Sequence, residues 1–320
     1  MTSETDTAAQ GPMAPQATAP AALPRIRLFY WSVRRELWEH RVVYVAPLAV
    51  AAIALVGFVL GAYHLPRIVG ATNTLATASL PPDVRAASEF AANLASKSLA
   101  IPYHFIAFAL FFTGLLAAVF YCQGALHGER RDRSILFWKS LPVSDLITVA
   151  SKMAVPMLVT PVVVLAAVVG AHLIMLAVST VVVAASGQSP SALWAHLPIL
   201  RTWGMILQGL PVITLWYAPL YAWLILVSAW AKRAPFLWAV AAPLALALVE
   251  KLALGTGAVW SWLGLRMIGP FQAAYLQGQH EGVHIASPVD WDQPHMWIGL
   301  VLAAAFLAAA VWLRRSSEPI

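Results

Sequence analysis

The sequence is poor in charge. Of its 320 residues, 11% are Asp, Glu, Lys or Arg, whereas 60% are hydrophobic and the mean hydropathy is +0.74. A soluble domain carries roughly 25% charged residues. Less than half that value excludes a large soluble core and points to an integral membrane protein. Cysteine is almost missing as well. The single Cys122 excludes an intrachain disulfide, and a cysteine-based zinc site needs several Cys or His at set spacings, which Cys122 lacks. No phosphate-binding loop of the form G-x-x-x-x-G-K-[ST] occurs, so the chain is not expected to hydrolyse ATP or to hold a cofactor by itself. A separate basic domain is also absent. The net charge is +6 and the pI near 9.7, but the basic residues lie along the edges of apolar runs, which argues against nucleic acid as a partner.

Residues 1–24 are rich in Ala, Thr, Pro and Gln, with no basic residue before Arg25 and no apolar run of signal-peptide type. They read as a disordered tail with no leader removed, so the first long apolar run is expected to be a retained span.

What the sequence does contain is long apolar runs. A helix needs about 20 apolar residues to cross the hydrocarbon of a bilayer. Six runs qualify, at about 42–61, 101–122, 153–184, 211–230, 235–255 and 296–313. The third is longer than a crossing needs, so it is expected to tilt or project. Pro156 and Pro161 each remove a backbone donor from it, which predicts a kink near its inner end.

Basic residues favour the cytoplasmic side of a membrane. Arg25, Arg27, Arg34, Arg35 and Arg41, then Arg130, Arg131, Arg133, Lys139 and Lys152, then Lys232 and Arg233, then Arg314 and Arg315 make 14 of the 20 Lys and Arg. They fall on alternate connections. This pattern fits six spans with both termini in the cytoplasm. Before the first span, "RIRLFYWSVRRELWEHR" (25–41) places Ile26, Phe29, Tyr30, Val33 and Leu37 at helical spacing, with Arg27, Arg34, Arg35 and Arg41 largely off that face. It is the pattern of an amphipathic helix lying in the lipid interface. A plain positive-inside flank is the alternative. The domain plan is a tail over 1–24, an interfacial helix over 25–41, a six-span region over 42–315 and a short cytoplasmic tail over 316–320.

The largest cytoplasmic connection, "GERRDRSILFWKSLPVSDL" (128–146), is too charged to cross a membrane and too apolar for a plain solvated loop. Ile135, Leu136, Trp138 and Leu141 form a short apolar set among Arg131, Asp132, Arg133 and Lys139, and Pro142 stops the element. Ser144 can cap the helix that follows, and Asp145 suits that helix's positive end. The design is a short helix, a sharp break, and a capped helix leading through Lys152 into the third span.

At these residues the chain resembles permease subunits of ABC transporters of the type-two exporter class. The stretch "ERRDRSILFWKSLPVSD" is similar to their cytoplasmic loop, in which an acidic residue and basic residues precede a coupling helix, a Pro, a small residue and a helix ending in Lys. The matching positions are Glu129, Arg133, Leu141, Pro142, Val143, Ser144 and Lys152. The interfacial entry helix, six spans and an apolar outer stretch before the last span extend the resemblance over essentially the whole chain after residue 24. The resemblance implies an all-α membrane domain that exports a lipid-like or amphipathic small molecule or peptide across a bacterial cytoplasmic (inner) membrane. It implies an ATP-binding cassette subunit docked on Glu129, Arg131, Arg133, Ile135, Phe137, Trp138, Lys139, Leu141, Pro142 and Asp145, with ATP and Mg held by that partner. A second permease subunit, identical or different, would complete the pathway within the lipid.

Residues 256–295 are apolar and aromatic but interrupted by Gly257, Gly264, Gly269 and Pro270. They are expected to form a re-entrant or interfacial pair of half-helices; the resemblance implies the same, closing the outer end. Within them His280-Glu281-Gly282-Val283-His284 matches H-E-x-x-H, the zinc pattern of metalloproteases. Gly278 and Gly282 disfavour a helix there, so a solvated polar loop is the expectation. A membrane metalloprotease using His280, Glu281 and His284, an adventitious metal site, and a non-transporting scaffold or sensor are the alternatives. Glu250 and Lys251 are expected at the outer interface, with Lys251 snorkelling. His104 and His172 are expected to be hydrogen-bonded packing residues, and the 14 Trp residues to anchor span ends.

Overall fold

The computed structural model describes residues 24–77, 82–132, 134, 143–197, 199–279 and 292–316. Among these residues there is no strand. Helix α1 spans Arg25–Glu39, α2 Val42–Gly61, α3 Leu65–Thr77, α4 Pro82–Gly124 and α5 His127–Arg131. Helix α6 spans Asp145–Ala154, and a π-helical turn over Val155–Val159 leads into α7, Thr160–Ala185. Then come α8 (Ser191–His196), α9 (Ile199–Trp230), α10 (Pro235–Leu254), α11 (Ala258–Gln279) and α12 (Pro294–Ser316).

Six stretches are long and apolar enough to cross a membrane: Val42–Ala71, Lys97–Arg131, Asp145–Ala185, Ile199–Trp230, Pro235–Leu254 and Pro294–Ser316. They contain the six apolar runs of the sequence, give or take a residue at the fifth. The third is 41 residues long, or about 60 Å at 1.5 Å per residue, twice the hydrocarbon thickness. Its proline-induced irregularity is the π turn. Thr160 donates its hydroxyl to the Val155 carbonyl at 3.1 Å, which occupies a backbone acceptor inside that turn.

Helix ends follow local chemistry. Ser144 caps α6 by accepting the Ile147 N–H at 3.3 Å, as its position before Asp145 predicts. Pro235 opens α10 after Ala234, whose φ of +47° marks a sharp reversal, and Gly255 closes α10 at φ +66°. The left-handed conformation costs glycine least, hence Gly255 at that corner.

Two buried clusters hold the bundle. One, toward Arg314, joins Tyr121, Cys122, Val149, Trp216, Ala222, Ile225 and Ala303 from α4, α6, α9 and α12. The other joins Ala51, Leu65, Leu110, Val168, Met175 and Leu193 from α2, α3, α4, α7 and α8. Small residues permit close approach. A methyl group added at Gly114 in α4 would lie 2.5 Å from Val164 Cγ2 in α7, too near for any Cβ. Outward faces of α2 and α10 stay apolar, with Ile53, Val56, Leu60, Leu246 and Leu252 exposed, as suits lipid as the surrounding solvent.

Residues 280–291 lie outside the described residues; before them the 256–295 stretch departs from its expected form. Residues Ala258–Gln279 make one helix that runs through Gly264, Gly269 and Pro270, not two half-helices. Glu250 holds its start: the carboxylate accepts the Ala258 and Val259 N–H groups at 2.8 Å and the Thr256 hydroxyl. A capped first turn and tertiary contacts outweigh the helix-breaking tendency of the two glycines.

Candidate functional site

Among the described residues, the densest polar assembly forms where the 128–146 connection leaves and re-enters the bundle. Glu129, at the end of α4–α5, is buried. Its Oε2 accepts Arg314 Nη1 at 2.6 Å, and its Oε1 forms an ion pair with Lys152 Nζ at 3.0 Å. Arg35 Nη2 approaches Oε1 at 3.5 Å. Lys152, on α6, is buried and donates to Glu36 Oε1 at 2.8 Å. Arg35 also donates to Glu36 Oε1, at 2.7 Å, and Tyr121 gives its hydroxyl to Glu36 Oε2 at 2.9 Å. Arg314 Nε reaches Asp145 Oδ1 at 3.1 Å.

Three carboxylates, Glu36, Glu129 and Asp145, thus meet three cations, Arg35, Lys152 and Arg314. The balance matters because an isolated buried charge costs several kcal/mol. Burial pushes the Glu36 carboxyl upward, but Lys152 and Arg35 outweigh it and hold the group at about 2. Glu36, Glu39 and His40 bring three ligand-type atoms within 4.8 Å of one another. With Lys152 and Arg35 already on Glu36, a metal cation would face two positive charges, so the group reads as structural.

The corner before Glu129 is held as firmly. Ser228 Oγ, near the end of α9, accepts the Leu126 and His127 N–H groups at 2.9 and 2.8 Å. Arg130 donates to the Ala229 carbonyl at 2.6 Å, a cation at a helix C-terminus. Helices α1, α4, α6, α9 and α12 therefore converge on the two ends of one connection.

Of the residues singled out for partner docking, Glu129 and Asp145 face this internal network, Glu129 buried and Asp145 partly so. Arg131 is exposed and pairs with the adjacent Asp132 at 3.1 Å. Arg133, Ile135, Phe137, Trp138, Lys139, Leu141 and Pro142 lie outside the described residues, as do His280, Glu281 and His284. Sequence reasoning missed Glu36 as a buried acid. Its signal was available: Glu36 lies between Arg35 and Leu37 on a helix that leaves Ile26 and Tyr30 exposed.

The expected packing role holds for His172, whereas His104 and several Trp residues depart from theirs. His172 is a satisfied packing residue. Its Nε2 lies 2.9 Å from the Tyr103 carbonyl, and Trp203 donates its indole N–H to Nδ1 at 3.1 Å. Those two bonds fix a neutral ring with the proton on Nε2. His104, by contrast, is exposed on α4. Trp203, Trp216 and Trp223 bond inside the bundle, Trp223 to the Ala239 carbonyl at 3.0 Å and Trp216 to the Arg266 carbonyl at 3.1 Å. They tie helices together where the composition suggested surface anchors, because each indole N–H finds an internal acceptor.

The fold is therefore an all-α bundle of membrane-protein type, with six helices of crossing length. Comparison with known protein families, curated proteins and solved structures finds no match.

Proposed function

We propose that the chain is the transmembrane permease subunit of an ABC transporter of the type-two exporter class. It exports a lipid-like or amphipathic small molecule or peptide, driven by a separate ATP-binding subunit that docks on the 129–145 connection. The observation that supports this most directly is the clamping of both ends of that connection. Glu129 at one end and Asp145 at the other share Arg314, and Lys152 adds α6 to the same cluster. A load applied to the connection between them passes to α4, α6 and α12 together, with little slack. A plain solvated loop has no need of such a base. In this reading Glu129 and Asp145 transmit force, whereas the apolar set around Phe137, Trp138 and Leu141 forms the docking surface. Two permease subunits and two ATP-binding subunits make the working assembly. Nucleotide drives the membrane half by binding one of its conformations better than the other.

The test is co-purification of the full chain with ATP-binding cassette subunits of its source organism. A stable complex is expected, and the double variant Trp138→Asp/Leu141→Asp is expected to abolish it while leaving membrane insertion intact. Failure of every such subunit to bind, or normal binding by the double variant, overturns the proposal.

A further inference from the structure

At the other end of α12 lies a buried charge outside that cluster, Arg266 of α11. Its Nη1 donates to the Trp216 carbonyl at 2.8 Å and its Nη2 to the His295 carbonyl. The guanidinium stacks on the Trp216 ring at 4.2 Å and the Trp262 ring at 5.1 Å. Gly299 makes room for it, since a Cβ there would overlap the guanidinium. Trp216 stands 14 residues before the end of α9 at Trp230, about 21 Å along the helix. Arg266 therefore meets α9 near its middle and α12 at its first turn.

Among the described residues no carboxylate pairs with Arg266. Two carbonyls and two aromatic faces offset part of the charge. Desolvating a cation is costly, and no carboxylate among the described residues neutralises this one. Two donors are also left over. Arg266 Nε and Trp262 Nε1 are both buried, and neither has an acceptor among the described residues. They sit one helical turn apart on the same face of α11. A buried cation beside two unused N–H groups lacks one chemical species, an oxyanion.

We propose that Arg266 and Trp262 bind the oxyanion group, carboxylate or phosphate, of an amphipathic molecule whose apolar tail lies among these helices. Both nitrogens are closed off here, so the anion reaches them as α11 parts from α9 and α12, to which Arg266 links it. The export reading supplies only the suggestion that this amphipath is cargo; the site itself rests on the donors.

The experiment places the full chain in phosphatidylcholine nanodiscs without any ATP-binding subunit. It measures binding of dodecyl phosphate, dodecanoate, dodecyltrimethylammonium and inorganic phosphate by calorimetry against empty nanodiscs. Saturable one-to-one binding of the two anionic amphipaths is expected, with none for the cationic one. Trp262→Phe keeps the ring and removes one donor, and should weaken binding about tenfold without lowering the melting temperature. Arg266→Lys keeps the charge and loses the Nε donor, and should weaken it similarly. Saturation by inorganic phosphate alone supports the oxyanion site and assigns a free anion as its occupant. Absence of saturable anion binding, equal binding of the cationic probe, or unchanged affinity in both variants overturns the proposal. Because no partner subunit is present, failure here leaves the co-purification result untouched, and the reverse also holds.

Discussion

Arg314 and Glu129 are joined by a 2.6 Å charge-assisted hydrogen bond between two buried side chains, 185 residues apart in the chain. Because Arg314 also holds Asp145, its loss removes the nearest cation from buried Glu129 and the ion-pair partner of Asp145 among the described residues. Arg314→Leu is expected to destabilise the solubilised protein by about 3–5 kcal/mol, the usual cost of breaking one side of a buried pair. Asp145→Asn should cost clearly less, because Asp145 is 27% exposed and keeps a water-accessible face. Thermal unfolding in detergent, read by circular dichroism, ranks the two. Equal losses would show that the cluster is not what holds α12 to the connection.

Lys152 is the hub between the two buried glutamates. Lys152→Met should destabilise at least as much as Arg314→Leu, since it leaves both Glu36 and Glu129 short of a cation. Adding Glu36→Gln removes one stranded charge and should recover part of the loss. The double-mutant cycle gives a coupling energy well above the few tenths of a kcal/mol of independent sites. Additive effects would mean that the two groups do not interact in solution.

Glu36 also sets a pH dependence. Its carboxyl is held at about 2 in the folded protein against an ordinary value of 4.5. A depressed acid stabilises the fold fully above its unfolded value and loses that contribution as pH falls through its folded one. The melting temperature of the chain should therefore drop between about pH 4.5 and pH 2. Glu36→Gln should start lower and show a shallower drop across that window. Parallel curves for the two proteins would remove Glu36 as the titrating group.

Much of the architecture was legible in the sequence because hydrocarbon crossing imposes a length that composition alone records. The capping of α6 by Ser144 and the irregularity after Pro156 were legible for the same local reason: each depends on neighbours in sequence. The ionic base was not. Lys152 reads as one more positive flank until Glu36, 116 residues away, is brought against it. Trp216 and Trp203 look like interfacial anchors until Arg266 and His172 supply acceptors. Helix α11 misled the reading because Gly264 and Pro270 suggest a break, whereas the Glu250 cap and the Arg266 contacts lie outside its own residues. In each case the deciding partner is remote in sequence, so no pattern within a single element carries it.

Close packing gives the last test. Gly114 lets α4 approach α7 so that an added Cβ would stand 2.5 Å from Val164 Cγ2 and 3.6 Å from Thr160 Cγ2. Gly299 plays the same part for α12 and the Arg266 guanidinium. The two sites differ in what must yield. Val164 is β-branched and buried, so Gly114→Ala forces the helices apart, at about 1–3 kcal/mol. A second change, Val164→Ala, removes the obstructing methyls and should restore stability in Gly114→Ala/Val164→Ala to near that of Val164→Ala alone. At Gly299 the obstruction is a side chain held by two carbonyls, and Gly299→Ala should displace Arg266 from Trp216 and His295. The displaced guanidinium then has to bury its charge without those acceptors, so the loss should be relieved by Arg266→Gln in the same chain. Melting temperatures of the four single and two double variants decide both pairs. Lack of rescue at either would mean that the glycine serves backbone conformation and not the contact seen across the helices.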